Sequence, residues 1–189
     1  MPASRLPTAP VEQSHPLREP AVAFRDLDGR VEALVVRTSL HGEARLQSTA
    51  VAVAGHGLLG DHGSLDPAQI GGNRQITLMQ AEHLPVVAAL LARSGETISP
   101  ACFRRNVVVS GLNLLAILHR RPHARPLLRF GADVLVEIVE PCEPCGWLEL
   151  TLGRGAVVAS HGHGGVCGRI VEGGRLSVAD PVVAVLRGD

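Results

Sequence analysis

The chain has 189 residues, 46% of them apolar, and 18 basic residues balanced by 18 acidic ones. That is enough for one globular domain with a real core, without the charge excess that drives binding to a polyanion. Every basic residue apart from histidine is arginine, so lysine chemistry, including covalent capture of pyridoxal phosphate, is excluded, while planar guanidinium forks for phosphate and oxyanion remain. With 3 phenylalanines, 1 tryptophan and no tyrosine, the chain lacks the stacking platforms of a single-strand nucleic-acid binder, and no nucleic acid is expected as partner.

In chain order, residues 1–20 are proline-rich and aperiodic and read as a flexible arm, leaving residues 21–189 as the folded domain. The start Met1-Pro2-Ala3-Ser4-Arg5 has no apolar segment behind its charge, so no secretory signal is read there. The longest apolar runs, such as Val86–Ala92, are too short to span a membrane. A cytoplasmic setting follows as the expectation, with cysteines kept reduced for catalytic or metal roles.

Asp28-Gly29 predicts a hairpin turn between Val22-Ala23-Phe24 and a strand over Val31–Val36. Ser48–Ala54 predicts a further strand. Gly55-His56-Gly57-Leu58-Leu59-Gly60 matches GxGxxG in form, but the following Asp61-His62-Gly63-Ser64-Leu65-Asp66-Pro67 reads as loop, not as the helix a dinucleotide site needs. Gln75–Leu78 is read as a strand leading into a helix over Ala81–Arg93, with Leu84, Val87, Ala88 and Leu91 on its buried face and Ser94-Gly95 as its stop. Val107–Val109 reads as a strand and Leu112–Leu118 as one or two helical turns, followed by a polar loop over His119–Pro126. Leu127–Phe130 and Val134–Val139 are strands about Gly131-Ala132, Trp147–Leu152 is a short helix, and Val166–Val171 with Leu176–Val178 forms a closing hairpin about Gly173-Gly174. Many short strands and one longer helix predict a mainly β, barrel-like architecture.

The chemistry converges on Glu140-Pro141-Cys142-Glu143-Pro144-Cys145-Gly146-Trp147, two thiols on a proline-stiffened turn directly after an apolar strand. From Glu96 to Phe130 there are six arginines and one acid; from Gly131 to Leu150 there are five acids and no base. Packed beside the cysteine loop, the arginine segment creates a field suited to an anion and lowers a thiol pKa; packed against the acidic strand, it merely pairs charges. The pair Cys142/Cys145 admits a thioredoxin-like couple, against which Pro144 and the weak following helix count. It also admits a zinc site completed from Cys102, Cys167, His161 and His163, a pair of inert thiols, or one functional thiolate with a neighbour. A non-catalytic zinc- or redox-sensing module built on Cys142/Cys145 is the rival from another class.

From about Glu32 to Val185 the sequence resembles a MOSC domain, the module named for the C-terminal part of molybdenum cofactor sulfurases. Gly57-Leu58-Leu59-Gly60-Asp61-His62 resembles its glycine-aspartate signature, and Arg74-Gln75-Ile76-Thr77-Leu78 with Glu82 resembles its next block. Arg104-Arg105-Asn106-Val107-Val108-Val109-Ser110-Gly111 resembles its arginine-asparagine strand, Glu140–Cys145 its cysteine loop, and Gly164-Gly165 through Gly173-Gly174 to Asp180 its closing segment. Two departures stand out: Asp61-His62-Gly63 replaces an aspartate-arginine-histidine run, and Ala179-Asp180 replaces a glycine-aspartate. The resemblance implies a MOSC-type β-barrel that binds molybdenum cofactor. Cys145 is implied as catalytic residue, as molybdenum ligand or sulfur carrier, with Arg74, Gln75, Arg104, Arg105, Asn106, Asp61 and Cys142 as the cofactor-binding set. It further implies reduction of N-hydroxylated small molecules or sulfur transfer to a metallocofactor, with an electron-donating reductase or a cysteine desulfurase as partner.

Overall fold

The computed structural model describes residues 28–93, 95–119 and 125–185. The arm over residues 1–20, the Val22–Phe24 strand and most of the His119–Pro126 loop therefore lie outside the described residues.

Seven strands close into a barrel. In spatial order they are β11 (Pro181–Val185), β7 (Leu127–Phe130), β8 (Val134–Pro141), β9 (Val166–Glu172), β5 (Ile76–Gln80), β6 (Val107–Ser110) and β1 (Asp28–Val36), with β1 pairing back onto β11. The short β2 (Arg45–Gln47) hangs on β1 outside the ring. A second sheet of β10 (Gly174–Ser177), β3 (Thr49–Val53) and β4 (Gly57–Leu58) accompanies it. Closure removes the exposed edges that a row of short strands would otherwise present. All neighbouring pairs in the ring are antiparallel except β5 and β6, which run parallel through a crossover carrying helix α2 (His83–Leu90).

The strand residues sort by parity. Ile76 and Leu78 on β5, Val107 and Val109 on β6, and Val166 on β9 point into the barrel with Leu34, Phe130, Val136 and Ile138. Met79 and Val108, one residue out of phase, point outward onto a second apolar cluster with Val87, Ala88, Phe103, Leu148 and Leu152. Helices α2 and α4 (Trp147–Leu152), and the 3-10 turn Pro100–Phe103, are thus held against the outer barrel wall. The small α1 (His62–Leu65), α3 (Leu114–His119) and α5 (Ala156–Ala159) complete the helices of the described residues.

Three local expectations are corrected. Asp28-Gly29 is not a turn but the start of β1, paired to Val183 and Val182. A glycine is needed there because a Cβ would press on Leu112 and the Ser110 carbonyl. β9 and β10 do not form a hairpin with each other: β9 lies between β8 and β5, while β10 pairs with β3. Finally, α2 is shorter than Ala81–Arg93. It ends in a Schellman motif, with Ala92 N–H on Ala89 O, Arg93 N–H on Ala88 O, and Ala92 rather than glycine in the left-handed position (φ 57°).

Candidate functional site

The parity that sends apolar residues inward lays a polar row on the outer wall. The register places Glu140 opposite Cys167, Cys167 opposite Thr77, and Thr77 beside Asn106. Asn106 locks this floor: its Oδ1 accepts from the Thr77 N–H (3.0 Å) and Thr77 Oγ1 (2.9 Å), while its own N–H donates to Thr77 Oγ1 (3.0 Å). Above the floor opens a cavity of about 480 Å³, within the range of small-molecule sites. Its walls come from the loops after β1 and β8 and the segments leading into β5 and β6.

The arrangement brings Asp61, Arg74, Gln75, Arg104, Arg105, Asn106 and Cys145 to this one cavity. Cys142 does not line it. The cavity residues divide by what already engages them. Arg105 is buried, and its guanidinium donates to the carbonyls of Gly164 (2.7 Å), Cys142 (3.3 Å) and Glu143 (3.0 Å), pinning the cysteine loop. Gln75 bridges Gly72 O (2.8 Å) and the Ile170 N–H (3.0 Å). Asp61 caps α1 through Gly63 N–H (2.9 Å) and also accepts from Arg37 N–H (3.0 Å). These are scaffold bonds.

Arg104 behaves differently from its neighbour. Its backbone is left-handed (φ 55°), a conformation costly for a side chain with a Cβ and one that concentrates at functional sites. The turn swings its guanidinium to 3.7 Å above the Trp147 ring, where one Nη donates to Gly42 O. Its Nε is buried and finds no partner among the described residues. Burial, followed by the nearby Arg37 charge, lowers the Arg104 pKa, while Cys145 and Asp61 act the other way. Arg37, Arg74 and Arg104 therefore gather positive charge around one hollow, and Cys145 stands exposed at its wall.

Behind Arg74 lies a second sulfur centre. Its Nη2 is 3.7 Å from the buried Cys142 Sγ. Contact with the buried Cys167 lowers the Cys142 pKa, with burial opposing and the charges of Arg105 and Arg74 assisting; the same contact raises that of Cys167. The partner of Cys142 is thus Cys167 on β9, not the sequence neighbour Cys145. Among the described residues no cluster of three or more His, Cys, Asp or Glu is arranged to hold a metal ion.

Sequence reading missed Arg37, His41 and Trp147 as lining residues. Trp147 opens a predicted helix, and Arg37 follows the predicted strand Val31–Val36, with nothing local to aim either at the cysteine loop. The arginine segment splits between the two readings offered for it. Arg104 and Arg105 join the cysteine loop, whereas Arg125 pairs with Glu137 of the acidic strand (3.4 Å); Arg129 follows neither reading and pairs with Glu172 on β9 (3.2 Å).

A sequence model of the MOSC domain matches residues 55–183, more than half of the chain. The chain belongs to the MOSC family. No curated protein matches it in sequence. Among solved structures it is similar to the YuaD protein from Bacillus subtilis, with TM-score 0.66 and 18% identity over 85% of this chain and 97% of that one. It is also similar to YiiM from Geobacillus stearothermophilus, with TM-score 0.63 and 17% identity over 85% of this chain and 76% of that one. YiiM from Escherichia coli gives TM-score 0.61 and 19% identity over 85% and 71% of the two chains. At these identities the likeness concerns the fold, and it agrees with a MOSC barrel. The glycine-aspartate departure also has a structural reading: Ala179 occupies a left-handed position (φ 74°) that glycine tolerates better.

Proposed function

We propose that this MOSC protein binds molybdenum cofactor in the arginine-lined cavity, with the Cys145 thiolate as its ligand to the metal. The observation that carries this reading is an exposed thiol on the wall of a hollow of about 480 Å³ that also presents Arg37, Arg74 and Arg104. A thiolate is a soft donor suited to such a metal, and guanidinium forks suit a phosphate. The residues fit the group: the buried Nε of Arg104, on the cavity wall, is a donor with no acceptor among the described residues.

When bound, the cofactor would supply two-electron chemistry at molybdenum, suited to reducing N-hydroxylated small molecules with electrons from a reductase. The chain's own contribution is to hold and orient. Arg74 and Arg104 take the phosphate and pterin edges, and the Trp147 face under Arg104 keeps that guanidinium in place. Arg105, Gln75, Asn106 and Asp61 fix the loops that present them. The exposure of Cys145 favours one further reading, in which this sulfur receives a sulfane sulfur from a desulfurase and passes it to a metallocofactor.

Both readings are tested on protein purified from a cofactor-making host. Elemental analysis should find molybdenum in the wild type and a loss of at least most of it in Cys145→Ser. Negligible, equal molybdenum in both would contradict the ligand role. A persulfide mass shift on the Cys145 peptide would then select sulfur transfer.

A further inference from the structure

We propose that Cys142 and Cys167 form a redox site that takes a hydroperoxide as oxidant and closes to a disulfide across β8 and β9. The two residues sit on adjacent antiparallel segments. Cys142 N–H donates to Gly165 O (2.9 Å) and Glu140 lies opposite Cys167, so the cysteines are diagonal neighbours on one face. Both side chains are buried on that face, one from each side of the same strand pair. Arg105 anchors the Cys142 carbonyl, and the Arg74 guanidinium faces the Cys142 sulfur, an arrangement that favours a thiolate. Arg74, against Cys142, and Thr77, opposite Cys167, line the cavity, while the two sulfurs lie behind that wall, so the site takes a small hydroperoxide that passes Arg74 and excludes bulky reagents.

The chemistry balances. The Cys142 thiolate donates an electron pair to the terminal peroxide oxygen, the O–O bond breaks, and the departing hydroxide or alkoxide takes a proton from solvent. Cys142 is then a sulfenic acid. The Cys167 sulfur attacks it, an S–S bond forms as the S–O bond breaks, and the leaving hydroxide takes the Cys167 proton to give water. Two electrons leave the thiols and one peroxide is reduced. Oxidation also removes the negative charge that Arg74 faces, leaving that guanidinium to the cavity.

The test treats the full chain with hydrogen peroxide, quenches, and alkylates under denaturing conditions before peptide mass analysis. The thiol titre should fall by two in the wild type and in Cys145→Ser alike, with one cross-linked peptide joining Cys142 to Cys167. In Cys167→Ala, Cys142 should instead stop at a dimedone-trapped sulfenic acid. A cross-link from Cys142 to Cys145 would overturn the proposal. So would an unchanged titre in native protein at a peroxide excess that oxidises the same chain once unfolded. The wild-type cross-link map decides the matter even where a variant fails to fold.

Discussion

Arg104 and Arg105 follow one another in the chain, yet the left-handed backbone at Arg104 (φ 55°) sends their side chains to different tasks. Arg105 satisfies three backbone carbonyls from a buried position, so Arg105→Ala strands those acceptors away from water. Its unfolding free energy in urea should fall by about 3 kcal/mol. Arg104→Ala removes a cavity cation that makes one backbone hydrogen bond and a ring contact, and should cost about 1 kcal/mol or less in the same assay while weakening anion binding. Equal losses of stability would contradict this division. The sequence could name both arginines but could not separate them. A positive φ on an arginine has no sequence signature of the kind that glycine or asparagine provides, and burial beneath the cysteine loop depends on residues 37 to 59 positions away. Cys167 enters the sequence reading only as one of four residues that could complete a zinc site, because its proximity to Cys142 follows from strand register, whereas the Cys-x-x-Cys spacing draws attention to Cys145.

At the scale of elements, the strands and helices with clear periodicity or composition were legible, and their partners were not. Trp147–Leu152 emerges as the predicted helix because its apolar face and flanking glycines are local features. The end of α2 was misplaced because the Schellman position is filled by Ala92 instead of a glycine. This has a measurable consequence. Ala92→Gly and Ala179→Gly should each raise thermal stability, by about 0.5–1 kcal/mol, as a strained left-handed alanine is relieved at some cost in chain entropy. Gly165 presents the opposite case. Its φ is 88°, and a Cβ would overlap the Leu78 carbonyl where β9 begins beside β5, so Gly165→Ala should cost more than about 2 kcal/mol in unfolding free energy. A neutral Gly165→Ala would mean that β9 does not approach β5 as closely as described.

At the scale of the molecule, the barrel depends on a contact that no local pattern reveals, the pairing of Asp28–Arg30 with Pro181–Val183. The ordered blocks of the family resemblance supplied the fold where periodicity reached only a mainly β class. They also supplied the segments of the site, while the sequence alone did not show that these meet on the outer wall of the barrel, under α4, with Trp147 between them. Trp147 is the one tryptophan of the chain and lies under Arg104 at the cavity, so its fluorescence reports directly on what enters there. The decisive measurement is titration of the cofactor-free protein with molybdenum cofactor, following Trp147 emission alongside bound molybdenum. The account predicts a change in emission that saturates at one molybdenum per chain and is strongly weakened in Arg104→Ala and Cys145→Ser. Unchanged emission with no molybdenum retained by the wild type would contradict it.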